Sequence, residues 1–269
     1  MSEYRVLIGD CINTLKGIPN ESVDCAITSP PYFGLRDYGI DGQIGLETTI
    51  DEYISRMVEI MREVRRVLKP EGTLWLNIGD SYNGSGGAGG DYNKGGLRQG
   101  QPKYGRKNDP SLKPKDLMMI PARLAIALQA DGWYLRSDII WSKPNPMPES
   151  VKDRPARKHE YLFLLSKNRK YYYNADINKR SVWNVKTKPY SGAHFAVFPP
   201  DLIEPCVLAG CPVNGTVLDP FGGSGTTAGV ALKNRRNAIL CELNPEYAKL
   251  IPQRIEAIVG FKQAEMEWL

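Results

Sequence analysis

Between a short apolar run and a polar stretch, the chain carries Thr28-Ser29-Pro30-Pro31-Tyr32. Two consecutive prolines fix φ and remove two N–H donors, which leaves backbone carbonyls free as acceptors. A hydroxyl at Ser29 beside the Pro30 carbonyl is a pair of acceptors suited to a planar amine, whose lone pair is otherwise delocalised. Hydrogen bonds from both of its N–H protons would push the nitrogen toward a nucleophilic geometry. Pro31 stiffens the turn, and Tyr32 adds an aromatic face on which a planar substrate could stack. By itself the segment reads equally as a rigid turn after a strand.

A second segment, Leu218-Asp219-Pro220-Phe221-Gly222-Gly223-Ser224-Gly225-Thr226-Thr227, has the composition of a glycine-rich turn between a strand and a helix. Such turns bring backbone N–H groups close to a ligand at a helix N-terminus. No Lys follows the last glycine, so the phosphate-cradling G-K-[ST] pattern is absent. Glu242 ends the next apolar run, at the distance where an acidic side chain accepts hydrogen bonds from ribose hydroxyls. Together they point to an adenosine-type ligand without a pyrophosphate.

The elements that must position these segments follow from periodicity. Arg5–Ile8, Val23–Thr28, Leu74–Ile78, Trp133–Trp141, Thr216–Asp219 and Asn237–Cys241 read as strands. A capping box at Thr49–Glu52 precedes a helix with apolar Ile54, Met57, Met61, Val64 and Leu68, expected to end at Lys69-Pro70. Pro121 opens a second helix closing near Asp131-Gly132, and Pro245–Val259 reads as a closing helix. This alternation predicts an α/β fold, a Rossmann-like, doubly wound and mostly parallel sheet, as one domain over 1–269. Both chemical segments then fall at carboxyl ends of strands, where such sheets place ligands.

Two stretches break the rhythm. Ser81–Lys115 holds nine glycines and seven Lys/Arg, and residues 81–116 are expected to form a mobile loop. Pro144–Ser191 mixes basic residues with Tyr171, Tyr172, Tyr173, Trp183 and Tyr190, so 150–191 reads as an insertion. From Lys143 to Tyr190 there are twelve Lys/Arg against four Asp/Glu, whereas the whole chain has a net charge of only +5. A local basic excess of this kind suits a polyanionic partner. Among the five cysteines no C-x-x-C pair occurs, so no metal site is expected and reduced, buried thiols are. No apolar run is long enough to span a bilayer and no leader pattern is visible, so a cytoplasmic protein without a membrane partner is expected.

Taken together, the two segments resemble the amino-methyltransferases of DNA, which carry an S/D/N-P-P-Y/F tetrapeptide and a D-P-F-x-G-S-G-T loop. The tetrapeptide comes first here and the loop last, the permuted order of the β group. Leu68-Lys69-Pro70-Glu71-Gly72-Thr73-Leu74 is similar to the family's LKPGG segment, with Glu71 in place of its first glycine. The resemblance implies S-adenosyl-L-methionine as cofactor. It implies Asp10, Cys11, Thr28, Phe198, Asp219, Pro220, Phe221, Gly223, Ser224, Gly225, Thr226 and Glu242 as its binding residues. Phe198 belongs to His194–Pro199, a segment similar to the one that covers the methionine end.

It further implies Ser29, Pro30, Pro31 and Tyr32 as the catalytic set, acting on a base flipped out of double-stranded DNA. Trp141–Pro148, with Lys143 and Asn145, is similar to a loop that helps hold that base. Residues 150–191 occupy the place of the target-recognition region, with Arg154, Lys158, Arg180 and Trp183 as candidate DNA contacts and Arg36 as another. Serine in the tetrapeptide leans toward N4 of cytosine, with N6 of adenine as the alternative. RNA or a protein amide as substrate, or a DNA-binding protein with a dead site, fit the motif order and intact motifs less well. Cytosine C5 chemistry would need a cysteine nucleophile, and Cys206 in Pro205-Cys206 reads as a packing residue instead. A homodimer and a cognate restriction endonuclease are partners that the group's other members suggest.

Overall fold

The computed structural model describes residues 2–84, 103–104, 108–146, 148–177, 179–187, 198–260 and 267–268. In chain order the elements are β1 (Tyr4–Ile8), α1 (Cys11–Lys16), β2 (Val23–Thr28), β3 (Arg36–Asp37), α2 (Ile50–Val67), β4 (Leu68–Ile78), β5 (Lys103–Tyr104), α3 (Ile120–Ala130) and β6 (Tyr134–Ser142). They continue with β7 (His159–Ser166), β8 (Val182–Asn184), α4 (Pro200–Gly210), β9 (Thr216–Asp219), α5 (Thr226–Lys233), β10 (Asn237–Glu242), α6 (Pro245–Ala248), α7 (Ile251–Val259) and β11 (Glu267–Trp268).

One sheet dominates, in the order β11-β1-β10-β9-β2-β4-β7-β6-β8. The pairs from β11 through β4 are parallel, whereas β7 lies antiparallel to both β4 and β6. The expected Rossmann-like, mostly parallel architecture is the one observed.

Both faces of the central strands are buried, and successive side chains feed opposite layers. Leu74 and Leu76 of β4, with Phe163 and Leu165 of β7, join a core against α1, α2 and α3. Trp75, Leu162 and Leu164, with Cys25 and Ile27 of β2, face α4, α5 and α7. The layers are tight where helices cross: a Cβ on Gly229 of α5 would come within 2.7 Å of Ile258.

Three expectations about elements are corrected. First, α2 begins with its capping box (Glu52 N–H donates to Thr49 Oγ1 at 3.2 Å) but ends at Val67. Pro70 disfavours helix at Lys69, so Leu68 turns extended and already pairs with Val23. Second, the closing helix is two, because Pro252 in the first turn of α7 cannot continue the bond pattern of α6. Third, the stretch expected as an insertion contains a strand of the main sheet. His159–Ser166 is β7, paired along its length with β4 and β6, and Leu162 and Leu165 have no exposed surface. Averaging charge over the stretch hid a strand in its middle.

Most of the glycine-rich loop lies outside the described residues. Its flanks are packed: buried Asn83 donates to the carbonyls of Asp109 and Leu112, and Asp109 accepts from Ile50 N–H at 2.6 Å. No helix among the described residues is long and apolar enough to cross a membrane.

Candidate active site

The carboxyl ends of β1, β2, β4 and β10, with the start of β7, open into one cavity of about 850 Å³. Its two ends are built on different principles.

At one end, Asp219 closes β9 and is buried. Its carboxylate accepts from the Thr28 hydroxyl at 2.6 Å, the Thr227 hydroxyl at 2.6 Å and Phe221 N–H at 3.0 Å. Those bonds tie the end of β2 and the first turn of α5 to the glycine turn. Burial raises the Asp219 carboxyl to about 6, a shift that the three hydrogen bonds oppose. The turn reaches α5 through Gly225 at φ +88°, where a Cβ would come within 2.8 Å of Ile251.

Glu242, at the end of β10, lines the cavity. Its two oxygens each accept one backbone bond, from Gly223 N–H and Asn244 N–H, both at 2.8 Å. Each oxygen therefore keeps acceptor capacity toward the cavity. Burial lifts this carboxyl to about 7. A ligand bearing vicinal hydroxyls fits such an acceptor, and the buried Ser224 hydroxyl nearby on the same turn has no hydrogen-bond partner among the described residues.

Of the residues expected to hold the cofactor, Asp10, Cys11, Phe198, Pro220, Phe221, Gly223 and Glu242 line the cavity. Thr28, Asp219, Ser224, Gly225 and Thr226 do not line it; they shape the loop from behind. Residues 194–197 of the segment expected over the methionine end lie outside the described residues, as does Tyr190.

At the other end, Ser29, Pro30, Pro31 and Tyr32 leave β2 and line the same cavity. The two proline carbonyls differ. Pro31 O accepts from the Tyr53 hydroxyl of α2 at 2.9 Å, whereas no described residue donates to Pro30 O. Pro30 O and Ser29 Oγ thus remain as acceptors at the turn.

Tyr32 is held by its hydroxyl, which donates to Glu160 Oε2 at 2.8 Å and stands 3.4 Å from Ser29 Oγ. Burial and the adjacent Glu160 carboxylate push the Tyr32 phenol well above its ordinary range, so it stays a protonated donor. Asn77, at the end of β4, donates to Glu160 Oε2 at 3.2 Å and to Tyr161 O at 3.0 Å. Lys143 pairs with the other oxygen of Glu160 and lies 4.4 Å from the Trp141 ring centroid. Gly79 leaves the room that the tyrosine ring needs, since a Cβ there would come within 2.8 Å of Tyr32 Cε2.

The candidate DNA contacts separate. Arg36, Lys143, Asn145 and Lys158 line the cavity. Asn145 is also structural, exchanging two bonds with the Thr187 backbone at 2.9 and 3.0 Å. Arg154 lies 3.8 Å from the Tyr82 ring centroid and pairs with Glu149 at 2.8 Å. Arg180 is exposed. Trp183 is a correction: it is 6% exposed, packs near Trp75 at a centroid distance of 6.4 Å, and donates its indole N–H to Arg180 O. It belongs to the core rather than to a DNA surface.

Asn77, Gly79, Asp80, Arg157 and Glu160 line the site and went unread in the sequence. Asp80 is almost wholly buried, accepts from Ile120 N–H at 3.1 Å and faces Arg157 at 3.5 Å. The one available signal was a carboxylate, Glu160, at the mouth of the apolar run Tyr161–Leu165. Cys206 is fully buried away from the cavity, and burial raises its thiol strongly, which fits packing and not a nucleophile.

Across one cavity the arrangement sets a carboxylate with free acceptor capacity against a hydroxyl and a carbonyl at a proline turn. A model of the DNA methylase family, that of N6 and N4 amino-methyltransferases, matches residues 23–253. The Type II methyltransferase M.SmaI of Serratia marcescens is 52% identical over 265 residues, which covers 93% of this chain and 90% of that protein. M.Cfr9I of Citrobacter freundii is 51% identical, covering 92% and 86%. In fold, the chain is similar to the cytosine-N4-specific PvuII DNA methyltransferase, with a TM-score of 0.71 and 21% identity over 99% of this chain and 95% of that one. It is similar also to a putative DNA modification methylase of Thermus thermophilus complexed with S-adenosyl-L-methionine, with a TM-score of 0.69 and 24% identity over 98% and 99%. The chain belongs to the DNA methylase family and is an S-adenosylmethionine-dependent DNA methyltransferase of its β group.

Proposed function

We propose that the base methylated is cytosine, at its exocyclic N4. The reading rests on Ser29: its hydroxyl and the Pro30 carbonyl are the acceptors left at the end of β2. A serine in this place is the form the family resemblance associates with N4-cytosine, and the PvuII enzyme of the same fold is cytosine-N4-specific. Adenine N6 presents the same two amino protons and is the second reading.

Bound S-adenosylmethionine supplies an electrophilic methyl group on a sulfonium. The chain's part is positioning and electrostatics. Ser29 Oγ and Pro30 O accept the two amino protons and turn the nitrogen lone pair out of the ring plane. Pro31, pinned through its carbonyl to Tyr53, keeps the Pro30 carbonyl from swinging away. The Tyr32 ring, fixed at its hydroxyl by Glu160, offers its face to a base taken out of the duplex. At the cofactor end, Glu242 accepts the ribose hydroxyls, while Asp219 and Thr28 hold the turn. Lys158 and Arg36, at the cavity, would meet the DNA backbone.

The relatives are Type II methyltransferases, which supports a cognate restriction endonuclease with the same target sequence. A homodimer and a cytoplasmic location belong to the same reading. Nucleoside mass spectrometry of unmethylated DNA treated with the protein and S-adenosylmethionine tests the target. N4-methyl-deoxycytidine is the expected product, and N6-methyl-deoxyadenosine would move the target to adenine.

A further inference from the structure

We infer that Glu160 is the terminal proton acceptor for methyl transfer, reached from the target amino group through the hydroxyls of Ser29 and Tyr32. The inference rests on the amine-methyltransferase reading of the site but not on which base is methylated.

The observation is a continuous line of oxygens. Ser29 Oγ stands 3.4 Å from the Tyr32 hydroxyl, on which its own hydroxyl is directed, and Tyr32 donates to Glu160 Oε2 at 2.8 Å. The first step is long for a hydroxyl–hydroxyl bond, as such contacts are before substrate closes a site. Asn77 Oδ1 is a second, longer acceptor for the Tyr32 hydroxyl at 3.4 Å, while Asn77 Nδ2 at 3.2 Å and the Lys143 ammonium both donate to the carboxylate, the closer and charged acceptor. A tyrosine needed only for stacking does not require a partly buried carboxylate on its hydroxyl. Nor does the cavity need a nearly buried lysine–glutamate pair (side chains 18% and 17% exposed) for packing.

The chemistry calls for such an acceptor. As the N–CH₃ bond forms and the S–CH₃ bond breaks, the sulfonium charge passes to the amino nitrogen, which then holds one proton too many. Ser29 Oγ takes that proton and releases its own to the Tyr32 oxygen, and Tyr32 releases its own to Glu160. A neutral methylamino base, a neutral thioether and a protonated Glu160 result, so charge and protons balance. The Tyr32 phenol, whose ionisation burial opposes, passes a proton without resting as phenolate. Glu160 acts through Tyr32 and is a positioning residue for the amine; the groups touching the amino group remain Ser29 and Pro30, with the Tyr32 ring against the base.

The test is single-turnover methyl transfer by Tyr32→Phe, Glu160→Gln and the double variant. Tyr32→Phe keeps the ring and the Lys143–Glu160 pair, so it stands even if Glu160→Gln folds poorly. Each single variant is expected to lose about 10²-fold in rate, with DNA and S-adenosylmethionine affinities held. The double variant is expected to lose no more than the worse single one, because both cut the same line. The Glu160→Gln rate should also rise with pH where wild type is flat, since the proton then leaves to solvent. Additive losses, or wild-type rates in either single variant, overturn the relay. Wild type run alongside separates this from failure of the activity itself, because its methylated nucleoside reports the reaction independently.

Discussion

At the cofactor end, Glu242 is met by Gly223 and Asn244, and Asp219 by Phe221 and Thr227, all within 19 positions in the chain, and one bond, from Thr28 to Asp219, comes from 191 positions away. At the target end, Tyr32 is met by Glu160 from 128 positions away, and Asn77 reaches the same carboxylate across 83. The first end is a local motif that largely satisfies itself; the second is assembled by bringing β2, β4 and β7 side by side. The two ends should therefore fail differently: damage to the first is felt in cofactor affinity, and damage to the second in the rate of transfer.

The largest effect expected is at the target end. Ser29→Ala removes one of two acceptors that strengthen as the nitrogen rehybridises, and should slow single-turnover methyl transfer by about 10²–10³-fold. A loss below tenfold would mean the Pro30 carbonyl suffices and the pair is not a pair.

Trp183→Ala separates core from surface. A buried tryptophan truncated behind β6 should cost about 3 kcal/mol of unfolding free energy in urea. The salt dependence of DNA binding should stay as in wild type, and a reduced salt slope would return Trp183 to the DNA surface.

Glu242→Gln is the cofactor-end counterpart. Replacing a carboxylate acceptor by an amide should weaken S-adenosylmethionine about tenfold by calorimetry. The same group sets a pH dependence. Burial raises the Glu242 carboxyl from 4.5 to about 7, so without cofactor the native state binds the proton more tightly than the unfolded chain does. Its contribution to stability is therefore full below about pH 4.5 and is lost as pH rises through about 7. Ribose hydroxyls favour the ionised form, so cofactor affinity should rise with pH through about 7 in wild type and stay flat in Glu242→Gln. Identical profiles for the two proteins would remove Glu242 from the cofactor.

The smallest effect is at the rim. Lys158→Ala should weaken DNA binding evenly across sequences and lower the slope of log K against log salt by about 1. A change of sequence preference would make it a base contact.

Legibility followed the same division. The tetrapeptide and the glycine turn were readable because each is contiguous, and the strands bearing them have clean apolar runs. Glu242 was readable because its spacing from the turn is fixed by one helix. Glu160 was not, since nothing local distinguishes a carboxylate at the start of β7 from any exposed charge. Only the antiparallel register of Tyr161 with Ile78 brings it to Tyr32. Trp183 misled for the converse reason: an aromatic among basic residues matches a nucleic-acid surface, and only the folded sheet, which pairs β8 with β6 and buries Trp183 in the core beneath, shows it facing inward. The positions of Thr28 and Asp219 were half readable, because sequence put each at the end of a strand but could not show that they bond to each other.

The most direct test of this division measures both quantities on the same two variants, S-adenosylmethionine affinity and single-turnover methyl transfer for Ser29→Ala and Glu242→Gln. Ser29→Ala should keep wild-type affinity and lose transfer, while Glu242→Gln should lose affinity and recover most of its transfer rate at saturating cofactor. Loss of cofactor affinity in Ser29→Ala, parallel to its loss of transfer, would contradict the account.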